Sequence, residues 1–422
     1  MNGSDDSGAE PRASNMCDSP DYGALPSSTA MQHLLLTVVM VTGFVCTKTL
    51  FDNIRRRQAR VTVVVIGAGP IGLTAVLVAA RSRRVGKIIL FEEMFRKVLL
   101  NRQHQIAFDH KSIPFLKKIG VDFDNIEGCW DGDCFYTRVG IFQEYLLDVI
   151  QRIRTPKEIR LGTKFTREHT KEIEYIPGRK LVIVCDGANG QAVRTMGLSD
   201  EFVQHTCKAY AAVAAVERPE QHNVPMPERR VHNLHFDLTA YGTDTSECDG
   251  LTGFSLKIFG SSKSRYMTLI VPKCESPLVK TLRVVLDRSM MRNIFMKCFN
   301  TYKSNSEHSL SDSFALKLMK FSPRLFEIKL SQRLETVAYF EDSDTFVVAE
   351  GDAARCYNFH TGLDVNIGIK GIMTLPNFLS MVPTAMTEHS IMKAMMYKSR
   401  QADQVCKDFV KNGLRDYMFS KH

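Results

Sequence analysis

The chain has 422 residues, a formal net charge of +9, 44% hydrophobic residues and 24% charged residues. That length holds two structural domains or one large one with an inserted lobe, and the composition is that of a globular protein with a real core. The basic residues cluster in short runs, RRRQAR at 55–60 and RSRR at 81–84, with no interleaved aromatics; this excludes nucleic acid and favours anionic ligands or acidic protein surfaces.

Eleven cysteines without a repeated spacing predict free thiols in a reducing compartment, so a cytoplasmic protein. Cys129 and Cys134 have no second pair near in sequence, and no metal site is expected. Residues 1–30, rich in Gly, Ser, Asp and Pro, read as a disordered tail. The uncharged run Met31 to Thr47 follows, 17 residues long, at the low limit for a membrane span. It reads either as a membrane anchor, with the basic cluster 55–60 holding the rest in the cytosol, or as a helix buried against the next domain. A cleaved signal peptide is not expected, because the run starts late and follows an acidic tail.

The clearest unit is VTVVVIGAGPIGLTAVLVAARSRRVGKIILFEE, 61–93. A β-branched run predicts a buried parallel strand over 61–66, then a glycine turn and a helix over about 70–84. KIILF is a second buried strand ending at Glu92. Gly67, Gly69 and Gly72 form G-x-G-x-x-G inside this βαβ unit. The first glycine permits the tight turn, the second lets the backbone approach a pyrophosphate, and the third lets the helix pack closely. The free N–H groups at the helix start favour phosphate. Glu92, 20 residues beyond Gly72, stands where an acid meets the adenosine ribose hydroxyls and repels a 2′-phosphate, so the bound nucleotide is FAD or NAD rather than NADP.

Residues 95–155 read as mostly helical, with 142–153 the best amphipathic stretch. From 158 to 184 short strands follow, and between 206 and 335 the strands lengthen and alternate, with a helical stretch around 278–320. TFVVAEGD (345–352) returns to a buried strand and a glycine turn, and the chain beyond 366 looks helical. The divisions are thus 1–30, 31–60, a nucleotide domain in two parts (61–205 and 336–395), a lobe over 206–335, and a terminal helix over 396–422.

Two further segments favour FAD. VIVCDGANG (182–190) resembles the Asp-Gly fingerprint, here Asp186 and Gly187, of class A FAD-dependent monooxygenases of the aromatic-hydroxylase type. VVAEGDAARCYNFHTGLDVNIG (347–368) resembles their Gly-Asp fingerprint, which puts Asp352 on the FAD ribityl and ribose-phosphate region. Within that family the chain is most similar to the monooxygenase domain of the MICAL proteins, on VVIGAGPIGL, FRKVLLNRQHQIAF and YTRVGIFQEYLLDV; the resemblance puts Arg102, Arg138 and Gln143 on the FAD. It covers about 61–395 and implies an α/β fold: a Rossmann-type FAD-binding domain (GR2/hydroxylase-like), an inserted antiparallel-sheet substrate lobe and C-terminal helices.

The departures from the family are specific. Gly362, Asn366 and Gly368 keep its spacing, but Arg355, Phe359 and Asp364 stand where it has His, Pro and Gly. Asp364 would oppose charge on a reduced flavin and lower its potential unless Arg355 or Lys370 neutralises it. DGANGQAVR carries one residue more than the family's pattern before its arginine, with Gly190 in place of a serine, which bears on NADPH handling by Asp186 and Arg194. His360 and His104 read as solvated or core histidines, and Trp130 as either a packing residue or a shield for the flavin face.

The function implied by the resemblance is an NAD(P)H-using monooxygenase, with FAD as cofactor and NADPH as electron donor. It would form a flavin hydroperoxide that oxygenates a substrate or releases hydrogen peroxide, with the chemistry borne by the flavin rather than by a side chain. The alternatives are a flavin- or nucleotide-binding protein without turnover and a simple flavin oxidase or reductase. The MICAL likeness implies a protein substrate such as actin.

Overall fold

The computed structural model describes residues 28–58, 60–102, 104–218, 232–237, 253–261, 264–274, 277–305, 307–359, 361–362 and 364–414. The tail 1–27 and His360 lie outside the described residues. The chain divides into two units, Met1–Arg57 and Gln58–His422.

In the first unit, one helix runs from Ser28 to Gln58. Its apolar window, Met31–Leu50, is 20 residues long and none of it is buried. Its apolar residues surround the helix instead of forming one stripe.

The second unit is built on a six-stranded sheet. Its order is Val337–Phe340, Thr345–Ala349, Lys180–Val184, Val61–Ile66, Val85–Glu92, Lys157–Leu161. All neighbours are parallel except the first two, which form a hairpin. Val63 and Val65 enter one core cluster, while Val64 and Ile66 enter another. Burial on both faces is why Val63 to Ile66 is an unbroken apolar run; each such side chain contributes about 1.5–3 kcal/mol. The helix Pro70–Arg81 packs on one face through Leu73, Val76 and Leu77, together with Phe142 and Leu146 of the helix Val139–Arg152.

The stretch 95–155 is less helical than its sequence predicts. Gln105–Phe108, Cys134–Arg138 and Gly128–Asp131 form a three-stranded antiparallel sheet. The hairpin turns at Gly132, whose φ is +54°. An Asp-Gly dipeptide between aromatic residues is the signal that identifies such a turn. The short-strand region 158–184 likewise contains a helix, Arg167–Glu174.

The lobe is a seven-stranded sheet. Across it run Arg355–Tyr357, Phe326–Arg333, Phe202–Glu217, Ser264–Pro272, Gly253–Ser261 and His232–Asp237, with Met319–Phe321 also pairing on Phe202–Glu217. Its observed pairs are antiparallel. Val279, Met291, Phe295 and Phe299 from the helices Pro277–Val285 and Arg288–Tyr302 share its core. The strand Arg355–Tyr357 belongs to this sheet although it follows the nucleotide domain's last parallel strand. The helices Asp364–Ile372, Leu375–Met381 and Glu388–Asp408 complete the unit. The architecture is a Rossmann-type α/β domain with an inserted antiparallel lobe.

Candidate functional site

The glycine turn after Val61–Ile66 is fixed by contacts that admit no side chain. Gly67 has φ +98°, and a Cβ there would lie 2.4 Å from the Cys185 carbonyl oxygen. A Cβ on Gly72 would lie 1.9 Å from the Gly67 carbonyl oxygen, so only glycine lets the helix start this close. Gly69 differs: no described atom lies within 4 Å of where its Cβ would stand. Between them, Ala68 is clamped from both sides. Its N–H donates to Glu92 Oε2 at 2.6 Å, and its carbonyl accepts from Gln143 Nε2 at 2.7 Å. Glu92 Oε1 also accepts the Met94 N–H at 2.8 Å. Each carboxylate oxygen has capacity for a further donor.

The loop opens onto a cavity of about 1280 Å³. Gly67, Gly69, Glu92, Arg102, Asp186, Gly187, Asp352, Gly362 and Asp364 all line it, brought together from three distant segments. Among them Arg102 contacts Met94 Sδ at 3.1 Å through Nη2. Gly362, at φ +79°, passes so close to the strand Gln105–Phe108 that a Cβ would meet the Gln105 carbonyl oxygen at 2.3 Å. Its carbonyl accepts the Ala107 N–H at 3.0 Å.

Four residues from the sequence reading stand behind the wall rather than in it. Gly72 packs the helix. Gln143 is fully buried and braces the loop; its Oε1 has no partner among the described residues. Asn366 is buried and spans two backbone groups, donating to the Ala107 carbonyl at 2.8 Å and accepting the Asp109 N–H at 3.0 Å. Arg138 occupies the N-cap position of Val139–Arg152, where Val139 reaches the cavity.

Asp186 folds back to cap the short helix Ala192–Thr195, accepting the Ala192 N–H at 2.9 Å. A Cβ on Gly190 would lie 2.0 Å from the Asp186 carboxyl carbon, which explains a glycine in place of the family's serine. Burial pushes the Asp186 carboxyl above the usual carboxylate range. Arg194 turns outward to pair with Asp200 and does not line the cavity.

The Gly-Asp turn holds an ion cluster that the sequence reading missed. Arg355 pairs with Glu350, and Glu350 also pairs with Lys398; all three are at most 3% exposed. Lys398 Nζ donates in addition to the Gly371 carbonyl at 3.0 Å and to Thr374 Oγ1 at 3.1 Å. Arg355, one of the two cations considered for Asp364, is thus held by Glu350. Lys370, the other cation considered for Asp364, reaches Asp109 at 3.0 Å. Phe359 in the family's proline position is a core residue, with ring contacts to Tyr357 and Phe326.

The lobe supplies the other end of the cavity with Ala215, Glu217, Phe259, Tyr266 and Lys320. Phe259 and Tyr266 stack with centroids 5.8 Å apart, and Tyr266 Oη lies 3.5 Å from His104 Nδ1. His104 lines the cavity and is exposed, in line with the solvated alternative of the sequence reading. Trp130 does not line it; its ring packs on Phe123 and Phe135 under Lys117.

No family model matches the chain, and no curated protein matches it. Among solved structures, it is similar to the tetracycline destructase Tet(51) at 14% identity, covering 84% of this chain and 90% of that one with a TM-score of 0.45. It is similar to 2-methyl-3-hydroxypyridine-5-carboxylic acid oxygenase at 12% identity, with 86% and 93% covered and a TM-score of 0.46. For p-nitrophenol 4-monooxygenase PnpA from Pseudomonas putida DLL-E4 the values are 13%, 83%, 90% and 0.44.

Proposed function

We propose that the chain is an FAD-dependent monooxygenase of the cytoplasm that takes reducing equivalents from NADPH. The observation that carries this reading is the single cavity in which the Gly67–Gly69 turn, Glu92, Asp352 and the start of the helix Asp364–Ile372 converge. Its residues fit a dinucleotide. The open side of Gly69 leaves room for a pyrophosphate against the start of Pro70–Arg81, where N–H groups and the helix dipole favour anions. Glu92, held by Ala68 and Met94, presents spare lone pairs to ribose hydroxyls. Asp352 takes the ribityl side, and Arg102 offsets phosphate charge. Free cysteines among the described residues support a reducing compartment.

FAD bound there would supply the redox chemistry, hydride acceptance and electron transfer to dioxygen. The protein's residues orient it and receive the substrate. Phe259 and Tyr266 form an aromatic wall suited to a planar small molecule, with Tyr266 Oη and His104 placed to hold a polar substituent. That wall favours a small substrate over the actin filament implied by the MICAL resemblance.

A second reading, an FAD holder without turnover, draws support from Asp364 in the cavity wall, where a carboxylate opposes charge on a reduced flavin. One experiment separates the two. Full-length protein in detergent is reconstituted with FAD and titrated anaerobically with NADPH. Bleaching of the visible flavin band supports the monooxygenase; a yellow protein that stays yellow supports the holder. Protein that remains colourless after reconstitution rejects both.

A further inference from the structure

We propose that the helix Ser28–Gln58 crosses a lipid bilayer once, with the cavity-bearing unit on the cytoplasmic side. Three observations identify a bilayer, rather than a protein groove, as the occupant of this surface. The first is length. The window Met31–Leu50 has 20 residues, and at a rise of about 1.5 Å per residue it spans about 30 Å, the thickness of the hydrocarbon core.

The second is that the helix is apolar all round. Leu34, Leu35, Leu36, Met40, Val41 and Phe44 are each more than half exposed, and consecutive residues are turned by about 100°. They therefore cover every face. A helix lying on a membrane surface, or docking in a protein groove, keeps a polar face. The threonine hydroxyls inside the window are satisfied within the helix, as a bilayer requires: those of Thr37, Thr42, Thr47 and Thr49 donate to the carbonyls of His33, Val38, Gly43 and Val45 at 2.6–2.9 Å.

The third is the charge on either side. Residues 1–30 hold one Lys/Arg, Arg12, against five acids, whereas 48–60 hold five, Lys48, Arg55, Arg56, Arg57 and Arg60, against Asp52. Basic flanks stay on the cytoplasmic side. Lys48, the one charged residue inside the window, sits near its end, where a long side chain reaches the interface.

The test is translation of the full chain with microsomes, followed by alkaline carbonate extraction and an intact mass. Arg12→Asn creates an Asn-Ala-Ser glycan acceptor at 12–14, introduced in a Ser4→Ala background that removes the natural acceptor Asn2-Gly3-Ser4. The expected result is carbonate-resistant, full-length protein, with a sugar-sized mass shift in Arg12→Asn that is absent from Arg12→Asn/Ser14→Ala. The double change Leu35→Arg/Val39→Arg is expected to move the protein into the carbonate supernatant. Wild-type protein in the supernatant, or loss of the segment as a cleaved leader, overturns the span. A carbonate-resistant Arg12→Asn chain without the sugar overturns the orientation. A double variant that stays in the pellet shows that these residues do not face lipid.

Discussion

Arg355 is held by Glu350, five residues before it, in an ion pair at most 2% exposed, and the same carboxylate holds Lys398 from the C-terminal helix. One anion thus serves two buried cations and joins the parallel sheet, the lobe's edge strand and the helix Glu388–Asp408. Glu350→Gln leaves both cations without a counter-charge, and a loss of about 3–5 kcal/mol in denaturant unfolding is expected. Lys398→Met loses its ion pair with Glu350 and the bonds to Gly371 and Thr374 but leaves Glu350 matched to Arg355, a smaller cost of about 1–3 kcal/mol. Burial alone would raise the Glu350 carboxyl, but Lys398 and Arg355 overcome it and hold it below the usual range. Its contribution is therefore present above the ordinary carboxylate pKa of about 4.3 and lost as pH falls through the lower folded value, where the wild type and Glu350→Gln converge. Equal losses in the two variants at neutral pH would contradict this arrangement.

Asp364 lines the cavity at the start of its helix. Removing that charge by Asp364→Asn favours a reduced, anionic flavin. The expected rise in the two-electron midpoint potential is about 20–60 mV, equivalent to roughly 1–3 kcal/mol. Spectroelectrochemistry of the FAD-loaded protein measures it, and an unchanged or lower potential means the carboxylate is already screened.

Some of this site is legible in the sequence and some is not, for a physical reason. The Gly67–Gly72 turn and Glu92 are local: steric need for glycine and the length of one βαβ unit fix their positions. Glu350, Arg355 and Lys398 are joined only by folding, since Lys398 lies 48 residues beyond Glu350 along the chain. No periodicity carries such a contact. The roles of Gln143 and Asn366 are likewise tertiary: both serve the cavity by holding backbone, Ala68 and the Gln105–Phe108 strand, rather than by facing it. The hairpin at Gly132 could have been found, because its Asp-Gly turn was in view within a stretch read as helical.

Asp186 yields a prediction of opposite sign to Glu350. Burial raises its carboxyl above the usual range. Between the ordinary value and that raised one, the folded state binds more protons than the unfolded state, so stability falls as pH rises through the window. Asp186→Asn keeps an oxygen to accept the Ala192 N–H and carries no charge. At pH 7 the variant should melt higher, by about 1–1.5 °C for a gain on the order of 1 kcal/mol. The advantage should vanish below about pH 4, where the wild-type group is protonated in both states. A variant that melts lower at pH 7 would show that the ionised carboxylate is needed as a cap.

The three glycines of the turn separate folding from binding. Gly67→Ala forces a side chain onto a φ of +98° and within 2.4 Å of the Cys185 carbonyl oxygen; Gly72→Ala drives one into the Gly67 carbonyl oxygen. Neither obstacle is a movable side-chain end, so both variants should lose several kcal/mol or fail to fold. Gly69→Ala meets no described atom within 4 Å and has no positive φ. It should fold and melt within about 0.5 kcal/mol of the wild type. The methyl nevertheless occupies the space through which a pyrophosphate would approach the backbone, so FAD affinity should fall at least tenfold, about 1.4 kcal/mol. Thermal melting without flavin, paired with FAD titration by flavin fluorescence, reads the two effects separately. A Gly69→Ala protein that binds FAD as the wild type does would remove the glycine turn from the cofactor site.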